Sequence, residues 1–133
     1  MSATRTTLLI LATLIVSLGM LGCGDERSTL VSLSVTPASA TSHGSPVLYA
    51  AELTLKDGTH PKNWPLGWLN SNPFTLQPLQ PTVGAFTIDA KGNATCITGF
   101  PGTYTVYAVA PADIRLPVSP TNAVIGTATF TCP

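Results

Sequence analysis

Pro101-Gly102-Thr103-Tyr104-Thr105-Val106-Tyr107-Ala108-Val109-Ala110 alternates apolar and hydroxyl side chains more regularly than any run of its length downstream of Leu30. Tyr104, Val106 and Ala108 fall on one face, Thr103, Thr105 and Tyr107 on the other. β-branched and aromatic residues at period two are what a half-buried strand needs. The stretch therefore predicts a central strand whose apolar face requires partners, and the rest of the chain supplies them.

Leu30 to Thr36 predicts a first strand with Val31, Leu33 and Val35 inward, ended by Pro37, which cannot donate to a ladder. Val47 to Lys56 predicts a second, with Tyr49, Ala51, Leu53 and Leu55 inward, closed by the turn former Asp57-Gly58. Leu66 and Trp68 mark a third, before Asn70-Ser71-Asn72-Pro73. Phe86 and Ile88 mark a fourth, the turn Asp89-Ala90-Lys91-Gly92 follows, and Ala94 and Cys96 return in a fifth. The opening stretch is the sixth, and Thr127 to Cys132 the seventh, with Ala128, Phe130 and Cys132 inward. About seven short strands separated by turn signals predict an all-β fold, an antiparallel β-sandwich.

Composition limits function. Only 9% of the 133 residues are charged, far below the roughly 25% of an ordinary soluble protein. Formal net charge is zero, so no basic stripe is available for a phosphate backbone, and nucleic acid is not an expected partner.

The N-terminus reads as an address. Arg5 precedes Leu8 to Leu21, an uncharged and mostly apolar run too short for the roughly 20 residues of a spanning helix. It ends in Gly19-Met20-Leu21-Gly22-Cys23, which resembles the lipobox of bacterial lipoproteins. Residues 1–22 are then a signal peptide, Cys23 the lipidated first residue, residues 23–29 a short polar tether and residues 30–133 the domain. The alternative is an ordinary secretory signal that leaves Cys23 as a thiol. Three cysteines are an odd number for an exported chain, and lipidation of Cys23 leaves Cys96 and Cys132 as a pair. A bridge between them closes about 36 residues and stabilises by about 3 to 4 kcal/mol in the chain-entropy model. Two buried free thiols are the alternative. Gly24 stands where an Asp would signal inner-membrane retention under the enterobacterial sorting rule, so the expected location is the cell envelope, at the outer membrane.

Leu33-Ser34-Val35-Thr36-Pro37-Ala38-Ser39-Ala40-Thr41, Leu55-Lys56-Asp57-Gly58-Thr59, Trp68-Leu69-Asn70-Ser71-Asn72-Pro73, Gly92-Asn93-Ala94-Thr95, Gly102-Thr103-Tyr104-Thr105-Val106 and Gly126-Thr127-Ala128-Thr129-Phe130 occur in an order that resembles bacterial immunoglobulin-like domains of group 2. The resemblance covers Leu30 to Cys132 and implies an immunoglobulin-like sandwich used for adhesion, structure or protein contact. Two segments depart from it, 76–82 and 110–120. Both are proline-rich, which stiffens a loop and lowers its ordering cost.

Chemistry-bearing residues are few. His43 and His60 stand in turn-like segments with no ligand spacing to a cysteine or carboxylate, so no metal and no cofactor is expected. No Gly-x-Ser-x-Gly elbow occurs, and a sandwich this small leaves little room for a cleft with paired carboxylates. The expectation is a non-enzymatic, lipid-anchored protein with an unknown protein or glycan partner. Trp68 is expected in the core. Trp64 lies in a polar loop, His60-Pro61-Lys62-Asn63-Trp64-Pro65, and is the candidate binding residue. An exposed indole there can stack on a sugar, the basis of an alternative as a small carbohydrate-binding module, or it can fold back over the sandwich edge.

Overall fold

Alternating side chains fold the chain into nine strands and no helix among the described residues of the computed structural model, 29–75 and 84–133. The strands are β1 (Leu30–Thr36), β2 (Ser39–Thr41), β3 (Val47–Leu48), β4 (Ala50–Leu55), β5 (Gly67–Leu69), β6 (Phe86–Ile88), β7 (Asn93–Cys96), β8 (Gly102–Ala110) and β9 (Val124–Cys132). One layer is a four-stranded sheet in the order β2-β9-β8-β5. Opposite it lie a pair, β1-β4, and a three-stranded sheet, β3-β7-β6. β3 and β4 are one run of chain interrupted at Tyr49, so these two smaller sheets share a backbone. All pairings are antiparallel except that of β2 with β9. The arrangement is a β-sandwich.

The opening stretch sits where its pattern requires. β8 pairs along its whole length with β9, from Gly102 opposite Cys132 to Ala110 opposite Val124, and its other edge takes β5. Val106 and Ala108 are fully buried, and Tyr104 is half-buried. The core they join contains Leu30, Leu33, Val35, Tyr49, Leu53, Phe86, Ala94, Ala128 and Phe130. Phe130 is its aromatic hub, with ring centroids 5.3 Å from Phe86 and 6.3 Å from Tyr49, the latter edge-on. Each fully buried ring of this kind stabilises by about 1.5 to 3 kcal/mol relative to exposure, and edge or tilted contacts add to that.

Four local expectations change. Val31 does not point inward: the register with β4 shifts between Leu30 and Ser32, which buries Leu30 and leaves Val31 53% exposed. A bulge of this kind breaks strict alternation for the residues on either side. The predicted strand from Val47 to Lys56 is cut in two, because the Tyr49 N–H turns away from the ladder and donates to the Gly92 carbonyl at 2.9 Å. Pro37 ends β1 as expected, but the chain then crosses to the other layer and adds the short β2 in parallel beside β9, with Thr129 N–H donating to the Ala38 carbonyl. β9 starts at Val124, three residues ahead of the expected start, because Val124 to Gly126 extend the pairing with β8. The strand count is therefore nine rather than seven, for the same two-layer architecture.

Cys96 of β7 and Cys132 of β9 form a disulfide that ties the two layers together, with their Cα atoms 5.7 Å apart. Trp68 is half-buried and packs on the core. Its ring lies over Gly92, whose positive φ of 86° and close approach to the Tyr49 carbonyl leave no space for a Cβ. The expected signal peptide, Cys23, most of the tether and the segment 76–82 lie outside the described residues.

Candidate interaction surfaces

The segment from Ala110 to Pro120 is built as a rigid loop, and one side chain organises it. Asn122 is 7% exposed and spends its whole amide on this loop. Its Oδ1 accepts the Asp113 N–H at 2.7 Å, and its Nδ2 donates to the carbonyls of Asp113, Leu116 and Pro117 at 3.1, 3.1 and 3.0 Å. Asp113 adds a second tie: its carboxylate accepts from Arg115 through the backbone N–H, Nε and the terminal guanidinium nitrogen, the last at 2.7 Å. This planar fork is the strong geometry of an arginine-carboxylate pair, and Arg115 holds the Asp113 carboxyl down at about 2. Nothing in the sequence pattern singles out Asn122. Its position just after Pro120-Thr121 reads as an ordinary turn residue, and the loop carbonyls it collects come from scattered positions.

The loop is also fastened to the first described residues. Thr29 bridges Asp113, the Leu30 N–H donates to the Ala112 carbonyl at 2.8 Å, and the Lys56 N–H donates to the Thr29 carbonyl at 2.8 Å. Held this way, it turns three apolar side chains outward: Ile114, Leu116 and Val118 are 44%, 55% and 47% exposed.

Beside the loop, where β5 meets the end of β8, runs an apolar groove of about 350 Å³. Its walls include Pro65, Leu66, Leu69, Val109, Pro111 and Val118. Val109 falls on the same face of β8 as Thr103, Thr105 and Tyr107, yet it is 5% exposed and lines this groove. Trp64 is tied to Pro111, one of the groove's lining residues. Its indole Nε1–H donates to the Pro111 carbonyl at 2.9 Å, and the half-buried ring packs against the core. That is the folded-back arrangement rather than an open stacking face.

The rest of the outer surface of the four-stranded sheet is a field of hydroxyls. Thr103 faces Thr131, with their Oγ1 atoms 3.2 Å apart, Thr105 faces Thr129 and Tyr107 faces Thr127. At the opposite end of β8, Ile97 and Phe100 are exposed in the connection from β7. His43 is exposed. The exposed His60 has its Nδ1 3.0 Å from the Leu53 carbonyl and 3.4 Å from Glu52. Among the described residues no three His, Cys, Asp or Glu side chains group to hold a metal ion. No helix among them is long and apolar enough to cross a membrane.

No family model and no curated protein matches this chain.

Proposed function

We propose that this chain is a non-enzymatic, lipid-anchored protein of the cell envelope, with the outer membrane as its site, displaying one immunoglobulin-like module for adhesive, structural or protein-protein contact. The observation that carries the proposal is the pairing of Cys96 with Cys132. It leaves Cys23 as the odd cysteine, at the end of an apolar leader and after Gly22, where a lipid acceptor stands in bacterial lipoproteins. A disulfide across the two layers also suits an oxidising compartment rather than the cytosol. Several acyl chains at about 0.8 kcal/mol per buried methylene make such an anchor effectively permanent.

The described surface supports contact by shape rather than by catalysis. It offers a rigid apolar loop, a shallow apolar groove and a flat hydroxyl face, and function belongs to such sites rather than to the sandwich itself. Intact-mass analysis of the mature protein tests the anchor: the N-terminus is expected at Cys23, carrying diacylglycerol and an acyl chain. An unmodified N-terminus at another residue would overturn it. Crosslinking in intact cells, read by mass spectrometry, tests the contact role, with recovery of a specific envelope protein as the expected result.

A further inference from the structure

We infer that the end of the sandwich formed by the Ala110–Pro120 loop rests on the bilayer that holds this chain's own N-terminal anchor, with Ile114, Leu116 and Val118 lying in the membrane interface. The inference builds on the lipid-anchored reading above and adds an orientation to it.

Three observations lead there. Ile114, Leu116 and Val118 alternate along one short loop, all strongly exposed; the other exposed large apolar residues among the described ones are Val31, Leu48, Leu69, Ile97 and Phe100, none of them in this loop. Apolar side chains gathered on a rigid surface mark a place that meets something apolar. The loop is held by Asn122 and by the Asp113–Arg115 fork, so it presents these side chains in a fixed arrangement rather than sampling buried alternatives.

The second observation is where the chain leaves the described structure. Thr29 bridges Asp113, the residue directly before Ile114. Six residues from Cys23 reach at most about 20 Å even when fully extended, so an anchored Cys23 keeps this loop within about that distance of the membrane. β8 has nine residues and runs roughly 30 Å, which carries Phe100 and the Cys96–Cys132 bridge toward the opposite end. The tether therefore selects one end of the sandwich for the bilayer, and it is the end with the exposed apolar loop.

The third observation is charge. Arg115 is the cation of the loop, and it is neutralised in place by Asp113 at 2.7 Å. A loop that carries an internally paired charge can enter the headgroup region with its aliphatic side chains leading. Side chains of an interfacial segment bury several ångströms into that boundary, and their apolar area adds to the hold of a lipid anchor.

The test uses the full lipidated chain carrying Leu116→Trp, reconstituted in phosphatidylethanolamine and phosphatidylcholine vesicles with brominated acyl chains. Leu116 is exposed, so the variant is expected to keep the parent's thermal unfolding profile. The difference emission over the parent protein, which subtracts Trp64 and Trp68, is expected to shift to the blue and be quenched. A Phe100→Trp chain treated identically is expected to show neither effect. Adding Ile114→Ser and Val118→Ser should abolish the quenching at position 116 while the protein still floats with the vesicles. Unquenched emission at position 116 in a chain that floats would overturn the orientation and leave the anchor standing, and so would crosslinks showing the loop buried against a second copy. A chain with unmodified Cys23 that does not float would overturn both.

Discussion

Asn122 grips Asp113 through both of its backbone polar groups, accepting its N–H at 2.7 Å and donating to its carbonyl at 3.1 Å. Its Nδ2 also donates to the carbonyls of Leu116 and Pro117, so one side chain from outside the Ala110–Pro120 loop holds three of the loop's carbonyls. Replacing it by Leu keeps the volume but strands those acceptors and one donor. A buried polar group left without a partner costs about 1 to 3 kcal/mol, so Asn122→Leu is expected to lower stability by about that much in urea unfolding. An unchanged midpoint would show that water replaces the amide without loss.

Gly126 lies in β9 directly beneath β1. A Cβ there would collide with the Leu33 side chain and stand 2.7 Å from the Leu33 carbonyl and 3.0 Å from Val35. The backbone oxygen cannot swing away as a flexible side chain could. Gly126→Ala is expected to cost about 1 to 3 kcal/mol through overpacking. Gly67→Ala is the control: its Cβ meets only the Val109 carbonyl at an ordinary 3.8 Å, and its unfolding midpoint should stay close to that of the parent.

The Cys96–Cys132 bridge has a sequence separation of 36 residues and is expected to stabilise by about 3 to 4 kcal/mol by restricting the unfolded chain. Cys96→Ser combined with Cys132→Ser should lose about that amount against the oxidised parent. Reduction of the parent before denaturation should reproduce the same shift, and a difference between the two would expose an effect of the serines themselves.

Two aspartates set the acid behaviour. Asp113 is held down at about 2, first by the Arg115 side chain and then by the Arg115 N–H, and Asp89 is lowered chiefly by the Asn93 side chain. Both titrate lower folded than in an unfolded chain, where the value is about 3.9. Their contributions are therefore fully present above about pH 4 and are lost as pH falls toward 2. Urea midpoints taken across that interval should fall less steeply for Asp113→Asn than for the parent. An identical slope would mean that the fork is equally formed in the unfolded chain.

Much of this arrangement is legible in the amino-acid order because period-two alternation and turn residues act locally. β1 and β8 begin and end where Pro37, Gly102 and Pro111 put them. The bridge between Cys96 and Cys132 follows from two inward cysteines. What escapes the pattern is non-local. Val31 is turned out by a register shift that depends on β4. Tyr49 leaves its ladder for a carbonyl at Gly92, and its hydroxyl donates to the Thr129 carbonyl at 2.8 Å, across the sandwich. Val109 is buried on the face that carries Thr103, Thr105 and Tyr107, which period-two alternation alone does not indicate. The candidate surface was legible in part: the 110–120 segment stands out by its prolines, but the residue that shapes it, Asn122, carries no sign of its partners.

β9 is the last strand in chain order, yet it sits between β2 and β8 and lies across from β1. The sheet therefore has no stable interior until its final member arrives. A polypeptide made from its N-terminus must wait, with Leu33, Val35 and Val106 uncovered, because closing contacts this distant in sequence is slow and comes late. Timing becomes a property of the topology: the β2-β9-β8-β5 sheet cannot close until its last-made strand is present.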